Sequence, residues 1–228
     1  MVDIGLIVAG VQSPLEVLIP VWFYVFSGLA YFAAAAISLA VCYFAFRISR
    51  TSGSRKFLFL SVSFLVLGIA FLALTASSMY TYFYQPYFRQ LEIVGLNVFN
   101  RHMFNFYYVA SLVSYLLLAF ALFPKGAGKR LYVLYVPLWF SGFDDFHIAA
   151  IFLLLLTIYR AAYNFYKAKS ANALLVLLAF SLMAVFHATM LLLPFDLTYF
   201  LVSHALLAAG FLSLLAMLIR VNKSGRQK

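Results

Sequence analysis

The sequence predicts an all-α integral membrane protein: a seven-transmembrane helix bundle with its N-terminus outside and its C-terminus in the cytoplasm. Three observations predict it. First, 66% of the 228 residues are apolar and only 10% are charged, against about 45–50% and about 25% in soluble domains. The mean hydropathy is +1.02. Second, the apolar residues fall into runs of spanning length, about 20 residues each. Third, the basic residues alternate between connections, as charges do across a membrane.

The first span is Pro14 to Phe46. Ser13 caps it, Pro14 suits its first turn and Glu16 completes a capping box. It is long enough to start in the interface and bend at Pro20. Ala33 to Ala36, with Ala40, offers a small-residue face for close packing. The second span is Phe57 to Phe83 and the third Met103 to Phe123. The fourth, Leu131 to Phe143, is short and contains Pro137. The fifth is Phe146 to Tyr166, the sixth Asn172 to Leu193 and the seventh Leu197 to Ile219. These spans use the whole chain, so residues 1–228 form a single transmembrane domain with no soluble one. Tyr84 to His102 is the long connection, polar and aromatic, with room for a small interfacial helix.

Orientation follows from charge. Arg47, Arg50, Arg55 and Lys56 share a side with Lys125, Lys129, Arg130, Arg160, Lys167 and Lys169. The C-terminal Arg220, Lys223, Arg226 and Lys228 join them. Only Arg89 and Arg101 fall opposite, together with all six acids: Asp3, Glu16, Glu92, Asp144, Asp145 and Asp196. The positive-inside rule makes the basic side cytoplasmic. This pattern requires Leu131–Phe143 to cross. The +10 charge is then a rim facing anionic lipid, and a nucleic-acid role is excluded. Met1-Val2-Asp3 lacks a basic residue and Ile4 to Val11 is short, so no signal peptide is expected. The compact loops suggest a prokaryotic plasma membrane. The single Cys42 has no internal disulfide partner and reads as a small packed hydrophobe.

All four histidines, His102, His147, His187 and His204, lie in the expected outer half. His187 precedes Pro194 by seven residues and His204 follows Asp196 by eight, which places both about 10–12 Å below their helix ends. On adjacent helices at matching depth, they are candidates to share a ligand. Neutral imidazole binds zinc, copper, iron and haem. His147, with Asp144 and Asp145 beside it, reaches the same depth if the short fourth span stops below the outer surface. His147, His187, His204 and Asp145 are therefore the candidate metal ligands, for zinc, copper or iron. His187 and His204 are the candidate pair for haem b. The competing readings are a satisfied core histidine at each position and a helix-capping Asp144 or Asp145. Met183, His187 and Met190 share one helical stripe that suits copper, or ordinary packing.

Thr75, Ser77, Ser78, Tyr80, Thr81, Asn100 and Asn105 make the outer half polar and predict an outer cavity above a sealed inner half. The last span has no lysine, which excludes a retinal Schiff base, and only one histidine, which does not fit seven-span zinc hydrolases. No nucleophile stands beside a base at a recognisable spacing, so catalysis is not expected. Three readings remain. The first is a metal- or haem-binding membrane protein. The second is a small-ligand or ion transporter or receptor, with the histidines binding cations or relaying protons. The third is a cofactor-free subunit of a larger membrane complex or homo-oligomer.

Overall fold

A computed structural model describes residues 21–88, 93–122, 142–196 and 198–224. Among these residues every regular element is a helix. They are α1 (Val21–Ser52), α2 (Arg55–Phe88), α3 (Ile93–Leu122), α4 (Phe143–Ala168), α5 (Ala171–Met190) and α6 (Thr198–Ser224). All six carry stretches long and apolar enough to cross a membrane. Inside lipid a helix is the natural outcome, because it satisfies every backbone group within its own segment.

The boundaries have local causes. Gly53, at φ +64°, takes the left-handed conformation that ends α1, and its N–H donates to the Ser49 carbonyl at 2.9 Å. Lys169 takes the same region at the end of α4. Ser170 then caps α5, its hydroxyl accepting from the Ala173 N–H at 3.3 Å. Asp196 starts α6 by accepting from the backbone N–H and hydroxyl of Thr198, both at 2.8 Å.

The helices form a closed ring. Each packs on its sequence neighbours, and α6 returns to α1. Ser27 meets Ser78 at 3.3 Å and Cys42 meets Ser61 at 3.4 Å, so α1 and α2 are antiparallel. By contrast, α3 and α4 run in the same direction. Tyr108, at the middle of α3, stacks at 4.4 Å on Phe146, in the first turn of α4. Leu118 and Ala121, near the end of α3, line one cavity with Ala161 and Asn164, near the end of α4. Likewise α1 and α6 are parallel, with Phe23 at 4.8 Å from Phe200 and Tyr31 at 5.2 Å from His204.

One end of the bundle carries Arg47, Arg50, Arg55, Lys56, Arg160, Lys167, Lys169, Arg220 and Lys223. The other carries Asp144, Asp145, Asp196 and Arg101. They are the basic end and the histidine end below. Large apolar side chains such as Leu29, Phe32, Leu72, Val109, Phe152 and Leu155 cover the outside. A face of this kind needs lipid or protein against it. Inside, Phe64 and Phe71 of α2 pack on Phe211 of α6 at 5.3 and 6.1 Å. Gly210 lets α6 approach α5, for a Cβ there would stand 3.0 Å from the Ala179 carbonyl. In the alanine run of α1, Ala34 and Ala35 face the core while Ala33 and Ala36 are exposed.

Two expectations are revised. Tyr84 to His102 is not a connection with its own small helix, because α2 continues to Phe88 and α3 starts at Ile93. At 34 residues α2 is about 51 Å long, beyond the roughly 30 Å hydrocarbon core. The fifth expected span starts earlier than Phe146, at Phe143. The bend at Pro20 and the crossing expected over Leu131–Phe143 lie outside the described residues, save Gly142 and Phe143.

Candidate functional site

Three helices bring polar side chains to one point near the histidine end. His147 sits one turn after the start of α4 and His187 one turn before the end of α5. These helices are antiparallel neighbours, so the two rings meet. Their Nδ1 atoms are 2.8 Å apart. The other nitrogen of His187, Nε2, lies 2.8 Å from the Tyr115 hydroxyl on α3. Tyr115 and His187 are 0% exposed and His147 is 2% exposed. Aromatic rings close the surroundings. Phe186 and Phe146 lie 4.7 and 5.5 Å from the His187 ring, and Phe143 lies 4.3 Å from that of His147.

The result is a buried chain, Tyr115–His187–His147. Each contact fixes the next. Only one Nδ1 of the facing pair can carry the shared proton, since a neutral imidazole has one donor and one acceptor nitrogen. In one arrangement the tyrosine hydroxyl donates to His187 Nε2, and His187 Nδ1–H donates to His147. In the other, His147 Nδ1–H donates to His187, whose Nε2–H donates to the tyrosine oxygen. Conversion moves one proton in at the tyrosine and one out at His147 Nε2. The bridging His187 stays neutral in both end states.

His204 stands apart. Its Nδ1 lies 2.9 Å from the Phe200 carbonyl. A carbonyl only accepts, so Nδ1 carries the proton and Nε2 is an acceptor. That Nε2 is buried and has no hydrogen-bond partner. Tyr31 and Phe200 pack on the ring at 5.2 and 4.0 Å. Phe186 touches all three buried histidines, at 6.3 Å from His147, 4.7 Å from His187 and 5.7 Å from His204. The direct histidine pair is therefore His147 with His187. The members of the expected pair, His187 and His204, both pack on the Phe186 ring, and no hydrogen bond joins them among the described residues.

The remaining candidates fall elsewhere. Asp144 and Asp145 occupy the first turn of α4 and are exposed, where they complement the helix dipole. His102 is exposed too. Met183 and Met190 are buried, and the Met190 sulfur accepts from the Ser203 hydroxyl at 3.0 Å. Among the described residues no group of three or more His, Cys, Asp or Glu is placed to hold a metal ion. The buried polar residues of α2 are largely satisfied by α1 and α3. Ser77 donates to Asn100 Oδ1 at 2.6 Å, and Asn100 Nδ2 donates to Thr81 at 3.0 Å.

Sequence reasoning missed Tyr115. The available signal was its spacing: Tyr108, Ser111 and Tyr115 stand at i, i+3 and i+7 on one face of α3. No family model, no curated protein and no solved structure matches this chain. The composition and the six apolar helices define a polytopic, all-helical membrane bundle.

Proposed function

We propose that this protein is a membrane transporter whose ion is the proton, passed along Tyr115, His187 and His147. The observation that carries this reading is the unbroken pair of 2.8 Å contacts in a water-excluded interior. Ionisable groups inside a membrane are costly and characteristically mark ion and proton paths. The geometry offers a relay in which charge need not rest on the buried bridge.

The same reading takes seven crossings, with the N-terminus outside and the C-terminus in the cytoplasm of a prokaryotic plasma membrane. Its support is that α3 and α4 are parallel. The chain leaves α3 at the basic end and starts α4 at the histidine end, so an odd number of passages joins them. Leu131–Phe143 is the apolar stretch available for one. The basic end is cytoplasmic by the positive-inside rule and takes anionic lipid as its partner. Two three-helix units of the same sense, α1–α3 and α4–α6, meet along parallel contacts, an arrangement found among transporters built from parallel repeats.

The test is proton flux into proteoliposomes under a potassium diffusion potential, read by an internal pH dye. Protein-dependent acidification is expected, with at least a tenfold loss in His187→Ala and none in His102→Ala. Equal rates in wild type and His187→Ala refute the relay. The unpartnered Nε2 of His204 favours a second reading, a ligand for haem b or for zinc, copper or iron. Its expected partner, His187, would give up a hydrogen bond to serve. An oxidised and reduced absorption spectrum with elemental analysis decides it. A colourless, metal-free sample ends that reading.

A further inference from the structure

We propose that the basic end of the bundle contains a binding cavity for a single-chain amphiphile with an acidic head, of the fatty-acid class. The cavity lies at the opposite end from the histidines and the inference is independent of the proton reading. It measures about 310 Å³ and is walled by α2, α3, α4, α5 and α6 together. It therefore lies among the helices at that end of the ring. Its size falls at the lower end of the roughly 300–1,000 Å³ of small-molecule sites.

The chemistry of the walls selects the ligand. Leu118, Val176, Phe180 and Leu214 line its apolar body, which suits an acyl tail withdrawn from water. The polar groups sit where the helix ends converge: Lys56, Asn164 and Asn172. Lys56 is exposed and presents a cation to a headgroup. The described acids all lie at the other end, so the mouth has complementary charge for an anion. An apolar body with the exposed Lys56 at its mouth matches a single tail and a single acidic head.

The test uses the full chain in nanodiscs of zwitterionic lipid and a diazirine-bearing dodecanoic acid as probe. After illumination, adducts are mapped by peptide mass spectrometry. The expected adducts fall on Leu118, Val176 and Leu214. Unlabelled dodecanoate competes, and dodecanol competes about tenfold less, because it lacks the charge-assisted bond. Lys56→Glu lowers labelling about tenfold or more without touching the core, since Lys56 is exposed. Ala173→Trp, which fills the cavity from a half-buried position, abolishes it in monodisperse protein. Adducts confined to outward residues such as Leu174 and Leu178 overturn the proposal. So does labelling unchanged in both variants. Equal competition by dodecanol overturns the acidic head.

Discussion

Replacing Tyr115 with Phe removes one hydroxyl and little else. The ring stays, and so does its edge-on contact with His187, whose centroid is 5.3 Å away at 90°. Both side chains are fully buried, so no water replaces the lost donor. His187 Nε2 is then left without a partner. An unsatisfied buried polar group costs roughly 1–3 kcal/mol. Interhelical hydrogen bonds in a membrane average only about 0.6 kcal/mol, with a maximum near 1.7. The expected destabilisation of Tyr115→Phe is therefore about 1 kcal/mol. A double-mutant cycle isolates the pair. Tyr115→Phe, His187→Phe and the double variant are unfolded reversibly in mixed detergent micelles. Coupling of about 1 kcal/mol is expected, because the second change costs less once the first partner is gone. Independent sites add within about 0.3–0.5 kcal/mol. Additivity at that level refutes the hydrogen bond and, with it, the first link of the relay. Proton flux supplies a second readout, since Tyr115→Phe should slow transport beyond what its stability loss explains.

Further outcomes follow from geometry elsewhere. Gly210→Val should separate α5 from α6 and cost about 1–3 kcal/mol by overpacking, because the Ala179 backbone carbonyl stands 3.0 Å from the added Cβ and cannot swing away. Gly28→Ala should be milder in the same unfolding assay, since the atom it meets is the flexible end of Met79. Asp196 accepts from the Thr198 N–H and hydroxyl, which holds its carboxyl below the ordinary 3.8. A lowered carboxyl stabilises fully above its unfolded value and loses that effect as pH falls through the lowered one. Melting of wild type and Asp196→Ala should thus converge only below about pH 4, and parallel curves at every pH refute the cap. In a Cys42→Ser background, Gly126→Cys and Asp144→Cys should react with an impermeant maleimide from opposite faces of the membrane. Labelling from one face removes the odd crossing between α3 and α4.

How much of this was legible in the sequence depends on which coordinate is asked for. Position along each helix was readable, because charged ends mark where an apolar run begins and stops. Counting from those ends put His187 near one end of α5 and His204 near the same end of α6, and the structure has them there. The charges also gave an expected direction for each helix, and the proposal of seven crossings rests on the parallel course of α3 and α4. Rotation about the axis was not readable. A soluble helix advertises its buried face by polar residues on the other side, but a helix in lipid is apolar all round. Nothing in Ala171–Met190 distinguishes the face that meets α4 from the face that meets α6. That is why His187 was paired in expectation with His204, when its ring meets His147. It is also why Tyr115 passed as packing in an apolar run, and why Ala33 to Ala36 read as one face when only Ala34 and Ala35 turn inward. The polar atoms left over once rotation is known are more informative than any motif in the sequence. Most buried hydroxyls of α2 find partners on α1 or α3, whereas Ser38 Oγ, Ser111 Oγ, His204 Nε2 and Asn172 Oδ1 do not. An unpaired acceptor in a dry interior is costly. A group bound at His204 Nε2 would remove that cost, which is the reason to look for one there.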